Sequence, residues 1–280
     1  MSLQNMGVLL RAARREKVAL GAFECWDSLN IQGIARAAKT CGAPVIFQAT
    51  SMEYGSMDGA DTLADMVSFY VKKYGIDAAL HLDHGTSLDE VDECLKAGFT
   101  SVMIDASSTP FEENVRLSTE ASRMAHACGA SCEAELGHVG GGDGGDGSES
   151  ALTVPEEATE FVARTQVDCL AVSVGTVHGE YRGTPKLRFD RLEEIAKRTD
   201  LPLVLHGGSG TPDDQLLKAI RMGIAKINIC TDISKAFIAG IEEAKATRTP
   251  SLAGRFYSVA RDHVEKRTAE LIRLFRGEQA

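Results

Sequence analysis

Residues 77–107 read DAALHLDHGTSLDEVDECLKAGFTSVMIDAS and contain one complete strand–helix–strand unit. The apolar run Asp77–His84 predicts a strand, and the stretch Ser87–Ala97 predicts a helix that Gly98 ends. A second strand is predicted at Ser101–Ser107. Two strands joined by a helix lie parallel in one sheet, because a parallel pair needs a crossover connection of about this length.

The same unit recurs along the chain. Strands are predicted at Val18–Phe23, Pro44–Thr50, Asp77–His84, Ser101–Ser107, Ala130–Gly137, Cys169–Gly175, Leu201–Gly208 and Ala225–Thr231. The helices that follow them are predicted at Ser28–Cys41, Asp61–Tyr74, Ser87–Ala97, Phe111–Cys128, Pro155–Thr165, Asp190–Lys197, Pro212–Met222 and Asp232–Ala246. Eight such units in about 250 residues predict an α/β fold, a (β/α)8 TIM barrel. We expect residues 1–280 to form one domain, with an extra C-terminal helix at Ser251–Phe275.

The alternative architecture is a doubly wound open sheet. Such a sheet usually carries a glycine-rich dinucleotide-binding turn after its first strand. The corresponding turn here reads Phe23-Glu24-Cys25-Trp26 and has no glycine. The sequence therefore favours the closed barrel.

The composition indicates a cytoplasmic protein that binds neither nucleic acid nor membranes. The 280 residues include 30 Lys and Arg and 40 Asp and Glu, for a net charge of −10, whereas nucleic acids and anionic membranes attract basic surfaces. No apolar run approaches the ~18 residues of a membrane-spanning helix, and Met1–Leu20 lacks the apolar core of a signal peptide. The seven cysteines form no Cys-x-x-Cys, which is typical of reduced thiols.

Three of the seven histidines lie at the ends of predicted strands or just beyond them. His84 ends the third strand, His178 follows the sixth, and His206 lies near the end of the seventh. In a barrel the carboxyl ends of these strands meet on one face, where active sites lie. Three imidazoles with an open fourth position form a catalytic zinc site, so the three histidines predict one. His81 is instead expected to fill or buttress the barrel interior, because it faces the same way as Asp83 in an alternating strand.

Two other residue types bear on the chemistry. Asp83 adjoins His84, and it could either orient a zinc-bound histidine or act as a general acid and base. A Schiff-base mechanism would need a lysine at the carboxyl end of a strand. Lys226 lies at the start of the eighth strand, at the other end of the barrel, so carbonyl chemistry here is expected to depend on a metal ion.

Three loops at this face are also informative. Gly207-Gly208-Ser209-Gly210 follows the seventh strand, and Asn228-Ile229-Cys230-Thr231 ends the eighth. Loops in these two places form a recurrent phosphate site in TIM barrels. The third loop, Gly140–Gly147, has six glycines in eight positions. Because it follows the fifth strand, we interpret it as a lid over the barrel mouth rather than a plain surface loop.

These motifs together resemble the class II, zinc-dependent fructose-bisphosphate and tagatose-bisphosphate aldolases. The resemblance extends from about Val18 to about Lys235. It is carried by Leu80-His81-Leu82-Asp83-His84-Gly85, Val102-Met103-Ile104-Asp105, Glu133-Ala134-Glu135-Leu136-Gly137, Gly175-Thr176-Val177-His178-Gly179, Val204-Leu205-His206-Gly207-Gly208-Ser209-Gly210 and Lys226-Ile227-Asn228.

The resemblance implies a role for each matching residue. His84, His178 and His206 match the catalytic zinc ligands, and Asp83 matches the aspartate that exchanges a proton with the C4 hydroxyl of the substrate. Asp105 and Glu135 match an auxiliary metal position or are structural acids near the barrel mouth. The site for dihydroxyacetone phosphate is matched by Gly179, Gly207, Gly208, Ser209, Asn228, Ile229, Cys230 and Thr231. The family also implies a second divalent ion and a monovalent cation, Na⁺ or K⁺.

Two positions depart from the family pattern. The family's mobile loop supplies a glutamate that moves a proton, and Asp143 is the nearest counterpart here. After the first strand the family commonly has an asparagine, where this chain has Glu24. An acid there would repel a phosphate or carboxylate and suit hydroxyl or amine groups, unless Glu24 turns away or pairs with a basic side chain.

The function implied is reversible cleavage of a ketose phosphate, such as fructose or tagatose 1,6-bisphosphate, to dihydroxyacetone phosphate and an aldehyde. The alternatives are another ketose 1-phosphate, a deoxy sugar acid phosphate, or a non-catalytic homologue that binds sugar phosphates. A metal-dependent hydrolase is disfavoured, because Ala22-Phe23-Glu24 offers no His-x-His on the first strand. The family implies a homodimer or homotetramer, with Ser251–Phe275 as a candidate interface.

Overall fold

The computed structural model describes residues 3–141, 152–181, 183–247 and 252–278. Eight parallel strands pair in chain order, and β8 pairs with β1 to close a barrel. The predicted TIM barrel is therefore confirmed. The strands are β1 Leu20–Glu24, β2 Val45–Ala49, β3 Ala78–Gly85, β4 Ser101–Ile104, β5 Ser131–Leu136, β6 Cys169–Val172, β7 Leu203–Leu205 and β8 Ile224–Ile229.

Eleven helices are present in the described part of the chain. They are α1 Met6–Glu16, α2 Ser28–Cys41, α3 Ser51–Ser56, α4 Ala60–Tyr74, α5 Leu88–Ala97, α6 Phe111–Ala127, α7 Pro155–Thr165, α8 Phe189–Arg198, α9 Asp213–Arg221, α10 Thr231–Ala246 and α11 Ala253–Phe275. Eight of them match predicted crossover helices, and α11 is the predicted extra helix. The sequence analysis did not predict α1 or α3.

Helix α1 closes the amino-terminal end of the barrel. Met6 and Leu10 are fully buried and pack with small residues from the barrel interior, among them Ala22, Ala79 and Ala225. The segment before α1 is held to β3, because the amide of Gln4 donates to the carbonyl of Ala78 at 2.8 Å. With this end plugged, the carboxyl ends of the strands are left for the site.

Helix α11 packs on the protein's own helices α2 and α10. A Cβ on Gly33 would lie 2.9 Å from the carbonyl oxygen of Arg261, and one on Gly240 would lie 2.5 Å from the Cα of Ala260. Glycine is needed at both positions because the helix backbones approach this closely. Among the described residues, no helix is long and apolar enough to cross a membrane.

Strands β6 and β7 are shorter than predicted. They end at Val172 and Leu205, so His178 and His206 both lie beyond the sheet. Gly207 turns the chain away from β7 with a φ of +65°, and a Cβ there would lie 2.3 Å from the carbonyl oxygen of Val177. The loops after β6 and β7 are therefore in direct contact, which positions the residues that follow each strand.

Candidate metal centre and active site

Three imidazole rings converge where strands β3, β6 and β7 end. The Nε2 atom of His84 lies 3.1 Å from Nε2 of His178 and 2.9 Å from Nδ1 of His206. His84 is the last residue but one of β3 and has a φ of +46°, a backbone conformation that a side chain disfavours. The strained backbone conformation thus occurs at the residue whose imidazole ring faces those of His178 and His206.

Each ring is held in place by the surrounding structure. Asp105, just after β4, hydrogen-bonds Nδ1 of His84 at 2.7 Å. Glu133 on β5 hydrogen-bonds Nε2 of His206 at 2.9 Å. The backbone amide of His178 donates to the carbonyl of Gly140 at 3.0 Å. The carboxylate partners fix the rings of His84 and His206 so that their other nitrogens face the cluster.

The three nitrogens fit a tetrahedral metal ion. Ligands about 2.05 Å from a zinc ion at the tetrahedral angle are separated by about 3.3 Å, close to the spacing found here. Burial lowers the pKa of both His178 and His206, so these rings are neutral, the form that binds a metal. His84 and His178 also line a cavity, so one side of the cluster is open to a substrate.

Two further acids lie beside His84. Glu135 is fully buried, its Oε1 accepts the amide of Val139 at 2.8 Å, and its Oε2 has no hydrogen-bond partner. Ligand atoms of His84, Asp105 and Glu135 lie within 4.8 Å of one another and form a second possible metal site. Burial and the nearby Asp105 raise the pKa of Glu135 to about 8.

The acids create a negative field at the histidine cluster. Burial opposes a charge on His84, but Asp83, Asp105 and Glu135 outweigh it and raise the pKa of His84 to about 10. The same field would stabilise a divalent cation beside the ring.

A charged network fills the barrel interior below the cluster. Glu133 and Lys226 are both fully buried, and the Nζ of Lys226 donates to Oε2 of Glu133 at 2.9 Å. Burial would raise the pKa of Glu133, but Lys226 and His81 together outweigh it and lower the pKa. His81 completes the interior with a 2.8 Å hydrogen bond to Ser101, as expected for a buttress. Lys226 therefore balances the carboxylate that orients His206.

Replacing Lys226 with Met should destabilise the protein by about 3–5 kcal/mol, because Glu133 would keep a buried charge without its cation. Urea unfolding followed by circular dichroism measures the loss. The exposed Lys96, which pairs with Asp92, provides the control: Lys96→Met should change stability by less than about 1 kcal/mol. Equal unfolding midpoints for wild type and Lys226→Met would contradict the prediction.

Asp83 lies beside the cluster, and both of its carboxylate oxygens are fixed. The Nε2 of Gln48 donates to Oδ2 at 2.8 Å, and the Nδ2 of Asn228 donates to Oδ1 at 3.0 Å. Among the described residues Asp83 forms no hydrogen bond with the three histidines, whereas Asp105 and Glu133 each bind the ring nitrogen that faces away from the cluster. This placement favours a general acid and base over a residue that orients a histidine.

A cavity of about 240 Å³ lies over these residues. It is lined by Glu24, Gln48, Thr50, Glu53, Asp83, His84, His178, Gly179, Gly207, Ser209, Asn228, Cys230 and Thr231. Most of the candidate binding residues are thus brought together. Two are not: Ile229 points into the hydrophobic core, and the amide of Gly208 is used by the carbonyl of Asn228 at 3.1 Å.

The loops after β6, β7 and β8 form one side of this cavity. The hydroxyl of Tyr181 accepts the amide of Val177 at 3.1 Å and donates to the carbonyl of Gly207 at 2.8 Å, which joins two of the loops. Ser209, in the loop after β7, accepts the amide of Asp232 at 3.1 Å, which ties this loop to the first turn of α10 after β8. Backbone groups at a helix N-terminus favour anions, in keeping with a phosphate on this side.

Glu24, the last residue of β1, also lines the cavity and is only 3% exposed. It neither turns away nor pairs with a basic side chain, since its carboxylate accepts Nε2 of Gln48 at 3.1 Å and the amide of Thr50 at 3.3 Å. Glu53 accepts the same amide at 3.0 Å. Burial, Asp83 and Glu53 raise the pKa of Glu24 well above its usual value.

Sequence reasoning missed Gln48, Glu53, Glu133 and Tyr181. The signal for Gln48 was a single amide in the otherwise apolar strand Val45–Ala49, paired in register with Glu24. Glu133 has the same inward alternation along β5 as Glu135. The proposed proton-transfer residue Asp143, and most of the glycine-rich segment Gly140–Gly147, lie outside the described residues.

Comparison with known proteins places this site in a family. A sequence model described as "Fructose-bisphosphate aldolase class-II" matches residues 4–280. The chain therefore belongs to the class II fructose-bisphosphate aldolase family, which is a family of metal-dependent carbon–carbon lyases. The predicted family membership is confirmed.

Individual relatives agree with this assignment. The chain is 43% identical to a fructose-bisphosphate aldolase of Geobacillus stearothermophilus, across 88% of this chain and 87% of that protein. It is 40% identical to a probable fructose-bisphosphate aldolase of Bacillus subtilis, across 92% and 91%. Among solved structures, the YdjI aldolase of Escherichia coli K12 superposes with a TM-score of 0.86 at 32% identity, across 98% of this chain and 97% of that one.

Proposed function

We propose that this protein cleaves a ketose phosphate reversibly to dihydroxyacetone phosphate and an aldehyde. The observation that carries the proposal is the convergence of His84, His178 and His206 beside Asp83, at a cavity that is also lined by the loops after β7 and β8. Its relatives, named fructose-bisphosphate aldolases, support the same reaction class.

His84, His178 and His206 would hold the metal, and we propose zinc because three imidazole ligands with an open position suit it. A zinc ion there would supply a Lewis acid for the ketone oxygen of the substrate. Asp105 and Glu133 keep the rings in orientation. Asp105 and Glu135 are proposed as a position for a second divalent ion, and a monovalent cation, Na⁺ or K⁺, near the phosphate remains a prediction.

Asp83 is proposed to move the proton of the C4 hydroxyl. During cleavage it accepts that proton as the C3–C4 bond breaks, and during condensation it returns the proton to the new hydroxyl. The amides of Gln48 and Asn228 fix the carboxylate for both directions. A second carboxylate must transfer a proton at C3, and Asp143 stays our prediction for it.

The phosphate of dihydroxyacetone phosphate is proposed to bind between the loops after β6, β7 and β8. Gly179, Gly207 and Ser209 line this side of the cavity together with Thr231, the first residue of α10. The absence of side chains at Gly179 and Gly207 lets a ligand approach the backbone closely.

Hydrogen exchange of dihydroxyacetone phosphate in heavy water tests this function without any assumption about the aldehyde. We expect proton NMR to detect stereospecific loss of one C3 hydrogen with the wild-type protein. Exchange should stop when a chelator removes the metal and return when Zn²⁺ is added. A metal-loaded protein that catalyses no exchange would refute the proposal, and so would exchange that persists fully in chelator.

We also infer a cytoplasmic protein that forms a homodimer or homotetramer. All seven cysteines lie in the described ranges and are unpaired, as in a reducing compartment. The candidate interface remains α11, where Tyr257 and the preceding N-cap residue Leu252 are exposed.

A further inference from the structure

We propose that the substrate carries its phosphate only on the dihydroxyacetone end, so that the aldehyde product is uncharged and polyhydroxylated. This inference rests on the proposed function and names the class of aldehyde that the reaction leaves open. Glu24 is the residue to which we assign the selection, with Glu53 in support.

The cavity has two sides of different character. The loops after β6, β7 and β8 contribute Gly179, Gly207, Ser209 and Thr231, and an adjoining cavity on that side contains Lys235. The neighbouring side is formed by the ends of β1 and β3 and by α3, and it contributes three acids: Glu24, Asp83 and Glu53. Among the described residues that line the main cavity there is no lysine or arginine. The cavity therefore has a surface that suits one phosphate group but none that suits a second.

The order of the substrate atoms follows from these positions. If Asp83 acts on the C4 hydroxyl, the carbons beyond C4 extend along the side of the cavity that holds Gln48 and Glu24. Gln48 donates to Asp83 at 2.8 Å and to Glu24 at 3.1 Å, so the two carboxyl groups are neighbours across one amide. The far end of the aldehyde is thus expected next to Glu24.

The acids on this side are held and cannot swing out to solvent. Glu24 is 3% exposed, and Gln48 and the Thr50 amide bind its carboxyl group. Glu53 belongs to a capping box at the start of α3, where its carboxylate accepts the Thr50 amide. Two carboxyl groups thus converge on one backbone N–H, an arrangement that a mobile surface acid would not have.

The electrostatic environment of Glu24 disfavours the binding of an anion. Burial and the charges of Asp83 and Glu53 raise the pKa of Glu24, which means that the local environment disfavours an added negative charge. A phosphate placed there would meet the same field and lose its hydration shell. A hydroxyl group can donate to a carboxylate and accept from a protonated carboxyl, so it pairs with Glu24 in either state.

The test is condensation of dihydroxyacetone phosphate with matched aldehydes by the metal-loaded protein. D-glyceraldehyde is compared with D-glyceraldehyde 3-phosphate, and the L forms are compared in the same way, so that configuration does not decide the result. For the enantiomer that reacts faster, we expect kcat/KM to be at least tenfold higher for glyceraldehyde than for glyceraldehyde 3-phosphate. In Glu24→Gln this ratio should fall at least tenfold, because the amide removes the acid and can donate to a phosphate.

Glu16→Gln serves as the matched control, because it makes the same change on exposed Glu16 in α1, at the closed end of the barrel. Its ratio should equal that of wild type. Any of three results would overturn the inference: a wild-type preference for the phosphorylated aldehyde, an unchanged ratio in Glu24→Gln, or rejection of both aldehydes. In each case, hydrogen exchange of dihydroxyacetone phosphate by the wild-type protein would still support the proposed function. If that exchange is also absent, the proposed function fails and the inference fails with it.

Discussion

His206→Ala should lose the bound metal together with aldolase activity. The substitution removes one of three imidazoles, and the remaining two cannot hold a catalytic zinc ion with an open position. We expect metal content, measured by atomic emission after dialysis, to fall from about one ion per chain to near zero. The value of kcat/KM should fall roughly 10⁴-fold, equivalent to about 5.5 kcal/mol of transition-state stabilisation.

The same substitution also deprives Glu133 of a hydrogen-bond partner in the barrel interior. His178→Ala separates the two effects, because His178 lies in a loop and has no contact with Glu133. It should lose metal and activity while keeping the circular dichroism spectrum and unfolding midpoint of the metal-free wild type. His126→Ala, which changes an exposed histidine paired with Asp168, should keep all four properties of the metal-loaded wild type. A His206→Ala protein with one tightly bound zinc ion and full activity would exclude the assigned ligands.

Asp83→Asn should separate carbon–carbon bond cleavage from hydrogen exchange. Asparagine has nearly the same shape, but it cannot accept the C4 proton, so cleavage and condensation should slow by about 10²–10⁴-fold. Dihydroxyacetone phosphate has no C4 hydroxyl to deprotonate, so the rate of its hydrogen exchange should stay within about tenfold of wild type. Coupled assays measure the first two rates, and NMR in heavy water measures the third.

Asp77→Asn is the control for this substitution. Asp77 is exposed just before β3, at the opposite end of the strand from Asp83, and it accepts a hydrogen bond from Gln4. All three rates should be unchanged in that variant. An Asp83→Asn protein that cleaves substrate at the wild-type rate would rule out the proton-transfer role. Equal loss of cleavage and exchange, with metal retained, would instead assign Asp83 to a step common to both.

The barrel was predictable because its signal is repeated. Eight apolar runs alternate with amphipathic stretches, and an error in one boundary does not change the count. The boundaries themselves were less accurate: β7 is only Leu203–Leu205, against a predicted strand of Leu201–Gly208. Residues such as His206 and Gly207 have strand-like neighbours in the sequence but leave the sheet to meet the loop at Val177. Such tertiary contacts are not visible in local patterns.

The histidine cluster was also predictable, because strand ends of a barrel meet on one face whatever their separation in the chain. The residues that hold the cluster in place were not predictable. Glu133 and Lys226 are 93 residues apart and pair only inside the closed barrel. Helix α1 was missed although Met6, Leu10 and Ala13 have helical spacing, since charged residues interrupt that stretch. Its role became visible only through the barrel end that it covers.

The two unlike walls of the cavity come from two neighbouring arcs of the same barrel, which meet where β8 pairs with β1. The arc from β6 to β8 carries the donor ketone's phosphate in our proposal, while the arc from β1 to β3 faces the acceptor aldehyde. The elements after β1 and β2, including the short helix α3, contribute no ligand to the histidine cluster. Acceptor choice can therefore diverge by substitutions at Glu24 and Glu53 while Gln48 continues to hold Asp83 for the chemistry. For directed evolution, this modularity makes a small library at those two sites the efficient starting point for new carbon–carbon bond formation.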